Sequence, residues 1–464
     1  MKRELFKNTF IIALGKFSTQ VISYFLLPLY TSVLTTSQYG TYDFIVTLYV
    51  FLVPFVTLLM EEAMFRFLID DNSEAGKKKI ISNTCAYLVV SSIIWVLLLL
   101  LVLNIFNFEY KLVFVLYIIS SVFITLCNSI SRGLGKMNIY AFSNFILSCS
   151  TIILNILFIV TFKMGVNGLL YSTIISNVLI GVYVFIKLGI YKYINFKNVE
   201  KSTLKEMVSY SYPLVPNSIG WSIINISDRI IVTGFLGTSA NGIYAMANKF
   251  PNIINTFSTF FFTAFKENAS KVIKKEKYEE YYTSIQSIVH NGFIAISLLL
   301  LTCIPFVFDL FIHESYRQAY QYIPILIIAL YYGNMSGFYG SLFVAIKETK
   351  TIGRTTTAGA IINILVNLLL IKFIGIYAAV ISTLIANYIV NLYRKIKVNS
   401  FFKLGKIEKY YFSIFLLVTM SFLYYIENLY VNLFSLIIVL IYIALSNKEM
   451  IQSFAKIIKK RMQN

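Results

Sequence analysis

Charge is what this chain has least of for its length. Only 13% of its 464 residues are Asp, Glu, Lys or Arg, against 58% hydrophobic. So little charge cannot hydrate the surface of a folded chain this size, which excludes the soluble globular class. Histidine and cysteine are scarce too, at two and four residues. Cys85, Cys127, Cys149 and Cys303 each stand alone in an apolar stretch. Without a C-x-x-C pair, neither a disulfide framework nor a metal site is indicated, and small apolar packing is the expected role. No P-loop, H-E-x-x-H or dinucleotide G-x-G-x-x-G occurs, and "RGLGK" (132–136) lacks Walker A spacing. Neither enzymatic activity nor a cofactor is therefore expected.

Long uncharged runs are abundant. No charged residue occurs from Ile80 to Phe108, Leu112 to Ser131, Met137 to Phe162 or Met164 to Ile186. Each can cross a hydrocarbon core of ~30 Å as a helix of about 20 residues. The alternating ten-residue strands of an outer-membrane barrel are absent. The expectation is an all-α polytopic membrane protein of about 14 spans. These lie near 10–33, 41–66, 81–106, 112–131, 139–162, 168–190, 211–236, 241–266, 284–311, 321–346, 354–374, 376–397, 410–427 and 430–446. The first is not a cleavable signal: Lys16 interrupts it and no small-residue cleavage pattern follows.

Cations sort by side of the membrane. With the N-terminus and the even-numbered connections on one side, that side holds 32 of the 40 Lys and Arg residues. The other holds only Lys111, Lys163, Arg317 and Lys372, and Lys16, Arg66, Arg229 and Lys249 lie within spans. The positive-inside rule makes both termini cytoplasmic. The net charge of +19 is largely this topology signal, scattered beside lipid, so no nucleic-acid partner is expected. The tail "NKEMIQSFAKIIKKRMQN" reads as a basic amphipathic helix suited to anionic lipid.

The chain repeats itself. "LTTSQYGTY" (34–42) returns as "LGTSANGIY" (236–244) at an offset of 202, and "GVNGLLYSTIISNVLIGVYVFIK" (165–187) aligns with "GIYAAVISTLIANYIVNLYRKIK" (375–397) at 210. Gly40 and Gly242 are the expected points of tight reversal in the first pair. Two matches in order imply a duplication of six spans. Six is even, so the halves form parallel lobes, with a helical hairpin appended. The organisation is 1–195, N-terminal lobe; 196–400, C-terminal lobe; 401–447, hairpin; and 448–464, cytoplasmic tail.

Polar stripes mark candidate sites. In span 1, Lys16, Thr19, Gln20, Ser23, Tyr24, Tyr30 and Thr31 share one face of about 140°. In span 7, Asn217, Trp221, Asn225 and Asp228 fall within about 80°, with Arg229 at the margin, and in span 8 Asn248, Asn252, Asn255, Thr256 and Thr259 share about 100°, with Lys249 beside them. Interhelical hydrogen bonds account for Asn and Ser alone. A cation deep in hydrocarbon costs about 3 kcal/mol or more, so Lys16, Arg229 and Lys249 point to water, a counter-ion or an anionic ligand. Glu62 and Arg66, at i,i+4, read as a structural ion pair. Glu61 and Asp228 are the candidates for ion coupling. His290, alone in span 9, reads as a packed histidine.

"LPLYTSVLTTSQYGTYD" (27–43), "PFVTLLMEEAMFRF" (54–67), "GKMNIYAFSNF…LNILFIV…GVNGLL" (135–170) and "SDRIIVTGFLGTSANGIYAMANKFP" (227–251), in that order, resemble the oligosaccharide flippases of bacterial polysaccharide synthesis. These form the Wzx-like branch of the multidrug/oligosaccharidyl-lipid/polysaccharide (MOP) superfamily. The resemblance implies flipping an undecaprenyl-diphosphate-linked oligosaccharide repeat unit across the bacterial plasma membrane, by alternating access between the lobes. It implies that Lys16, Arg229 and Lys249 hold the diphosphate, and that Gln20, Tyr24, Asn217, Asn225, Asn248 and Asn252 meet the glycan. Coupling to H+ or Na+ through Glu61 and Asp228, and association with membrane lipids, a polysaccharide polymerase and chain-length machinery, complete the expectation. A lipid II flippase and a MATE-type drug antiporter are the competing readings. The antiporter would favour acidic rather than basic residues in its cavity.

Overall fold

The computed structural model describes residues 24–446 except 25, 72, 196, 198, 273–277, 347, 402, 403 and 405–409. The described residues are helical, with no strand among them. Sixteen α-helices follow in order: α1 Leu27–Val33, α2 Thr36–Thr57, α3 Met60–Asp70, α4 Glu74–Ile105, α5 Lys111–Gly133, α6 Met137–Asn155, α7 Gly165–Lys187, α8 Lys201–Ser211, α9 Val215–Lys249, α10 Asn252–Val272, α11 Tyr278–Phe311, α12 Ile323–Ala345, α13 Thr349–Ile374, α14 Tyr377–Asn399, α15 Tyr411–Tyr424 and α16 Leu429–Ser446. Each expected span has a helix, the first by its last turns alone. Among the described residues, nine helical stretches are long and apolar enough to cross a membrane. Exposure runs opposite to that of a water-soluble protein. On α4, Val89, Ile93, Leu97 and Leu101 are exposed while Ser82, Asn83 and Thr84 are buried. Only hydrocarbon around the helices makes that distribution favourable.

The chain divides into two compact units, Met1–Ile226 and Ser227–Asn464. The division falls later than residue 195 because the connecting segment is bound to the first unit. Ser82 donates to the Tyr193 carbonyl at 3.0 Å and accepts from the Asn195 N–H at 2.9 Å. Asn83 accepts from the Glu200 N–H at 3.2 Å, and Lys79 pairs with Glu200 at 2.5 Å. Helix α8 then packs on α3 and α4.

In the first unit α5 packs on α3 and α7, and α6 on α7. Span 2 is broken. Pro54 removes one ladder hydrogen bond, and Leu58 and Leu59 both adopt left-handed backbone (φ 48° and 54°), ending α2 and starting α3. Leucine in that region costs about 1–2 kcal/mol per residue, so the break needs support. The Val56 carbonyl freed by the break accepts from Ser91 at 2.5 Å, and the Thr57 hydroxyl accepts the Leu59 N–H at 3.1 Å.

In the second unit α12 is the central helix, packed against α10, α11, α14 and α15. The C-terminal hairpin α15–α16 is fastened at both ends. At one, the Tyr320 and Tyr424 rings stack 4.2 Å apart and each hydroxyl donates to the other's carbonyl. Arg317 there pairs with Asp309 and, at 2.8 Å, with Glu427. At the other, His290 Nε2 meets Ser413 Oγ and Nδ1 meets the Tyr331 hydroxyl, both at 2.7 Å. Ser413 spends its proton on the Tyr410 carbonyl, so Nε2 donates to Ser413 and Tyr331 donates to Nδ1. His290 is thus a buried packing residue joining α11, α12 and α15.

The internal repeat has local counterparts in both units. Gly165 and Gly375, matched in the repeat, both take positive φ (54° and 59°) immediately before or at the start of α7 and α14. Asn177 and Asn387, also matched, each bridge to the helix two spans earlier, at Ser121 Oγ (3.1 Å) and the Ala329 carbonyl (3.0 Å). The "LTTSQYGTY" reversal works differently from expectation. Gly40 and Gly242 lie inside helices and have no left-handed backbone. The reversal is made one turn earlier by Thr35, whose hydroxyl accepts the Gln38 backbone N–H while the Gln38 side-chain Oε1 accepts the Thr35 N–H, a capping box. The matched position in the second unit is Gly237, at φ 86° and ψ 174°, backbone that only glycine adopts readily. A cap in one repeat is replaced by a glycine kink in the other.

Candidate functional site

Among the described residues each unit carries one buried carboxylate in its helical core, held very differently. Glu61 lies in the first turn of α3, immediately after the left-handed leucines, and is 8% exposed. Its Oε1 accepts from Thr57 at 3.4 Å, and its Oε2 is buried with no hydrogen-bond partner among the described residues. Leaving such an atom unpaired is costly, which marks Glu61 as a group awaiting a proton, a cation or a donor.

Asp228 on α9 is 3% exposed and has a built shell. Oδ2 accepts from the Tyr244 hydroxyl at 2.9 Å and from Thr383 at 2.7 Å; Oδ1 accepts from Asn367 at 2.8 Å. Around it, Ser227 donates to Asn363 Oδ1 at 3.1 Å, and Asn363 Nδ2 donates to Ser382 and Thr383. All three donors to the carboxylate are uncharged. Asn367 Oδ1 is buried beside them without a partner among the described residues, leaving further oxygen capacity in the cluster. The site therefore joins α9, α13 and α14 through oxygens, in surroundings where a lone negative charge is expensive.

The expected substrate-binding residues are distributed as follows. Lys16 and Gln20 lie outside the described residues, and Asn217 and Asn225 sit on α9 with side chains outside them. Tyr24 is half-buried. The Arg229 guanidinium lies 5.9 Å from the Tyr244 ring centroid, next to Asp228 in sequence but not among the three donors to its carboxylate. Asn248 donates to the Tyr244 carbonyl one turn back at 2.9 Å, and Lys249 follows it, half-buried. Asn252 accepts from Asn255 at 3.0 Å, and Asn255 in turn accepts from Asn334 at 3.0 Å. That ladder ties α10 to α12, so part of the span 8 stripe serves helix packing.

The Glu62–Arg66 ion pair is corrected. Arg66 pairs with Asp70 at 2.9 Å, with both side chains at least half exposed. Asp70 stands at the same four-residue spacing on the other side, and Glu62 in the first turn of α3 is stabilised by the helix's positive end without a cation.

Sequence reasoning missed Asn367, Tyr244 and Thr383 as partners of Asp228, and Asn363 as the residue that bonds Ser227 and Thr383 beside it. Asn363 and Asn367 stand one turn apart in the apolar run "NILVN", and Thr383 belongs to the repeated Ser-Thr pair; both were usable signals. It also missed Arg394, which was grouped with the cytoplasmic cations but is 4% exposed within α14.

The fold is one that solved polytopic helical membrane proteins share. The structure resembles the lipid II flippase MurJ in an inward closed conformation, with TM-score 0.69 and 16% identity over 94% of this chain and 99% of that one. It also resembles an inward-facing multidrug resistance MATE family transporter of the MOP superfamily, with TM-score 0.65 and 14% identity over 84% and 98%. A MOP superfamily transporter from Pyrococcus furiosus gives TM-score 0.56 and 15% identity over 84% and 94%. Comparison with curated proteins returned no match. The family described as "Polysaccharide biosynthesis protein" matches residues 5–266, more than half of the chain, and the chain belongs to that family.

Proposed function

We propose that this protein flips undecaprenyl-diphosphate-linked oligosaccharide repeat units from the cytoplasmic to the outer face of the bacterial plasma membrane, both termini being cytoplasmic. Membership of the polysaccharide biosynthesis family, on a MOP transporter fold, is the observation that carries this reading. The residue chemistry supports it. A diphosphate head group needs cations, and Lys16, Arg229 and Lys249 are cations within spans. The glycan hydroxyls suit Gln20, Tyr24, Asn217, Asn225, Asn248 and Asn252. The lipid chain stays in the bilayer while the two units alternate access.

Glu61 and Asp228 couple the cycle to H+ or Na+. A proton neutralises a buried carboxylate, and a sodium ion would use the oxygens of Asp228, Asn367 and Thr383. Lipid II flipping is the second reading, favoured by the likeness to MurJ over 94% of the chain. A polymerase and chain-length machinery working on the outer face would consume the product.

The test is complementation. Lys16→Ala, Arg229→Ala and Lys249→Ala are expressed at matched levels in a strain lacking its polysaccharide flippase, and surface polymer is measured. Loss of polymer in at least one variant is expected. Full complementation by all three overturns the assignment of the cations. Rescue of a lipid II flippase deletion in place of a polysaccharide flippase deletion would transfer the activity to peptidoglycan precursor.

A further inference from the structure

Helices α13 and α14 line an open-sided cavity of about 380 Å³ whose chemistry changes along its length. At the end where α13 begins and α14 finishes, it is lined by Arg354, Lys397, Thr351 and Thr355. One to two turns further in, the lining is Ala358, Ile362, Ile389 and Val390. On α13 the lining positions 351, 355, 358 and 362 succeed one another at three- and four-residue steps, and on α14 positions 397, 393, 390 and 389 run the opposite way. One cavity thus has a cationic rim and an apolar shaft aligned with the helices. Glu348 also lies at the rim, its Oε1 engaged by the Thr351 hydroxyl at 3.0 Å. Among the described residues no ion pair involves Arg354 or Lys397.

The cationic character continues behind the wall. Arg394 is 4% exposed and bonds Thr355 Oγ1 at 2.9 Å, the Ser336 carbonyl at 3.1 Å, Thr356 Oγ1 at 2.9 Å and the Ile352 carbonyl at 3.3 Å. Every one of these acceptors is neutral, so its charge has no carboxylate within the described shell. A buried guanidinium without a counter-ion is expensive unless an anion comes near. Thr355 both lines the cavity and bonds Arg394 Nε, which puts the buried charge one side chain from the rim. In the first unit the matched position is Val184, fully buried and apolar. The cation thus has no counterpart in the first repeat.

We infer that this cavity binds an anionic glycerophospholipid. Its phosphate sits between Arg354 and Lys397 at the start of α13, where the positive end of the helix adds to the attraction. Its acyl chain runs along Ile362, Ile389 and Val390. Charge complementarity at the rim and the order from polar to apolar select an amphiphile over a free anion. Such a lipid is a resident of the second unit, whatever molecule the protein transports.

The test uses the full chain, delipidated in detergent, titrated with phosphatidylglycerol, phosphatidylethanolamine or undecaprenyl phosphate, with bound lipids counted by native mass spectrometry. Phosphatidylglycerol is expected to fill one site ahead of phosphatidylethanolamine. Arg354→Gln/Lys397→Gln should weaken that adduct by about thirtyfold, each cation contributing about a factor of five. Ile362→Trp fills the shaft without touching charge, and should remove the same adduct while the unfolding temperature holds. It carries the test alone if the double variant does not fold. Equal binding of the two phospholipids, an unchanged phosphatidylglycerol adduct in both variants, or preferential filling of the site by undecaprenyl phosphate would each overturn the inference.

Discussion

Replacing Asp228 by Asn and by Ala separates the charge of this residue from its structural work. In Asp228→Ala the Tyr244 hydroxyl and the Asn367 amide lose their acceptor, whereas Thr383 keeps an alternative in the Ala379 carbonyl at 2.8 Å. Two buried donors stranded at about 1–3 kcal/mol each make a loss of about 2–6 kcal/mol. Asp228→Asn behaves otherwise. Its amide oxygen, placed at Oδ2, retains Tyr244 and Thr383, and its NH2 group faces Asn367. Asn367 can rotate its amide by half a turn and present the oxygen that now lacks a partner. The bonds to residue 228 are then remade, but the flipped Asn367 NH2 faces no acceptor among the described residues, so Asp228→Asn should lose about 1–3 kcal/mol, less than the Ala variant. Denaturant or thermal unfolding of the purified protein gives the two stabilities, and complementation of a flippase-deleted strain gives function. The expected pattern is a folded, inactive Asn variant and a destabilised Ala variant. Wild-type surface polymer from Asp228→Asn would refute ion coupling at this residue; an Asn variant as unstable as the Ala variant would refute the donor count.

Three further outcomes follow from the geometry. Gly237→Ala forces a side chain onto backbone at φ 86° and ψ 174° and should cost about 1–3 kcal/mol in unfolding experiments, while Thr35→Ala at the matched position costs about 1 kcal/mol through loss of a helix cap. Arg317→Ala frees Asp309 and Glu427 at the loop joining α15 to α16, and hydrogen exchange should rise in residues 425–428 with little change in global stability, because these pairs are partly exposed. Arg66→Ala should change stability by less than about 1 kcal/mol, since its partner Asp70 is mostly in solvent; a larger loss would show that Arg66 has a role beyond the exposed pair.

The spans were legible because hydrocarbon imposes length and apolarity together, and each of the 14 expected spans meets a helix. The break in span 2 was not. Leu58 and Leu59 have no preference for left-handed backbone, and what holds them there is the Ser91–Val56 contact with α4 and the Thr57 hydroxyl. Asp228 was visible as a charge in an apolar run, but its shell comes from three helices and depends on packing that periodicity does not encode. Arg394 was misjudged for a related reason. A cation near the end of an apolar helix normally reaches water, and only the side chains of α12 and α13 around it show that this one does not. Arg66 had two acidic residues at equal spacing, and the i,i+4 rule alone could not choose between them.

The fastening of the C-terminal hairpin has a practical use. The hairpin α15–α16 is tied to α11 through His290, and to the 314–322 segment before α12 through the stacked Tyr320–Tyr424 pair and Arg317, so the loop at 425–428 is anchored to the second unit. Tyr193, Asn195 and Glu200 in the connecting segment are bonded to the first unit through Ser82, Asn83 and Lys79. Spectroscopic labels at these two places would each report on a whole unit rather than on a loose loop, and under the proposed alternating access the distance between them should change through the cycle, without a label entering either core.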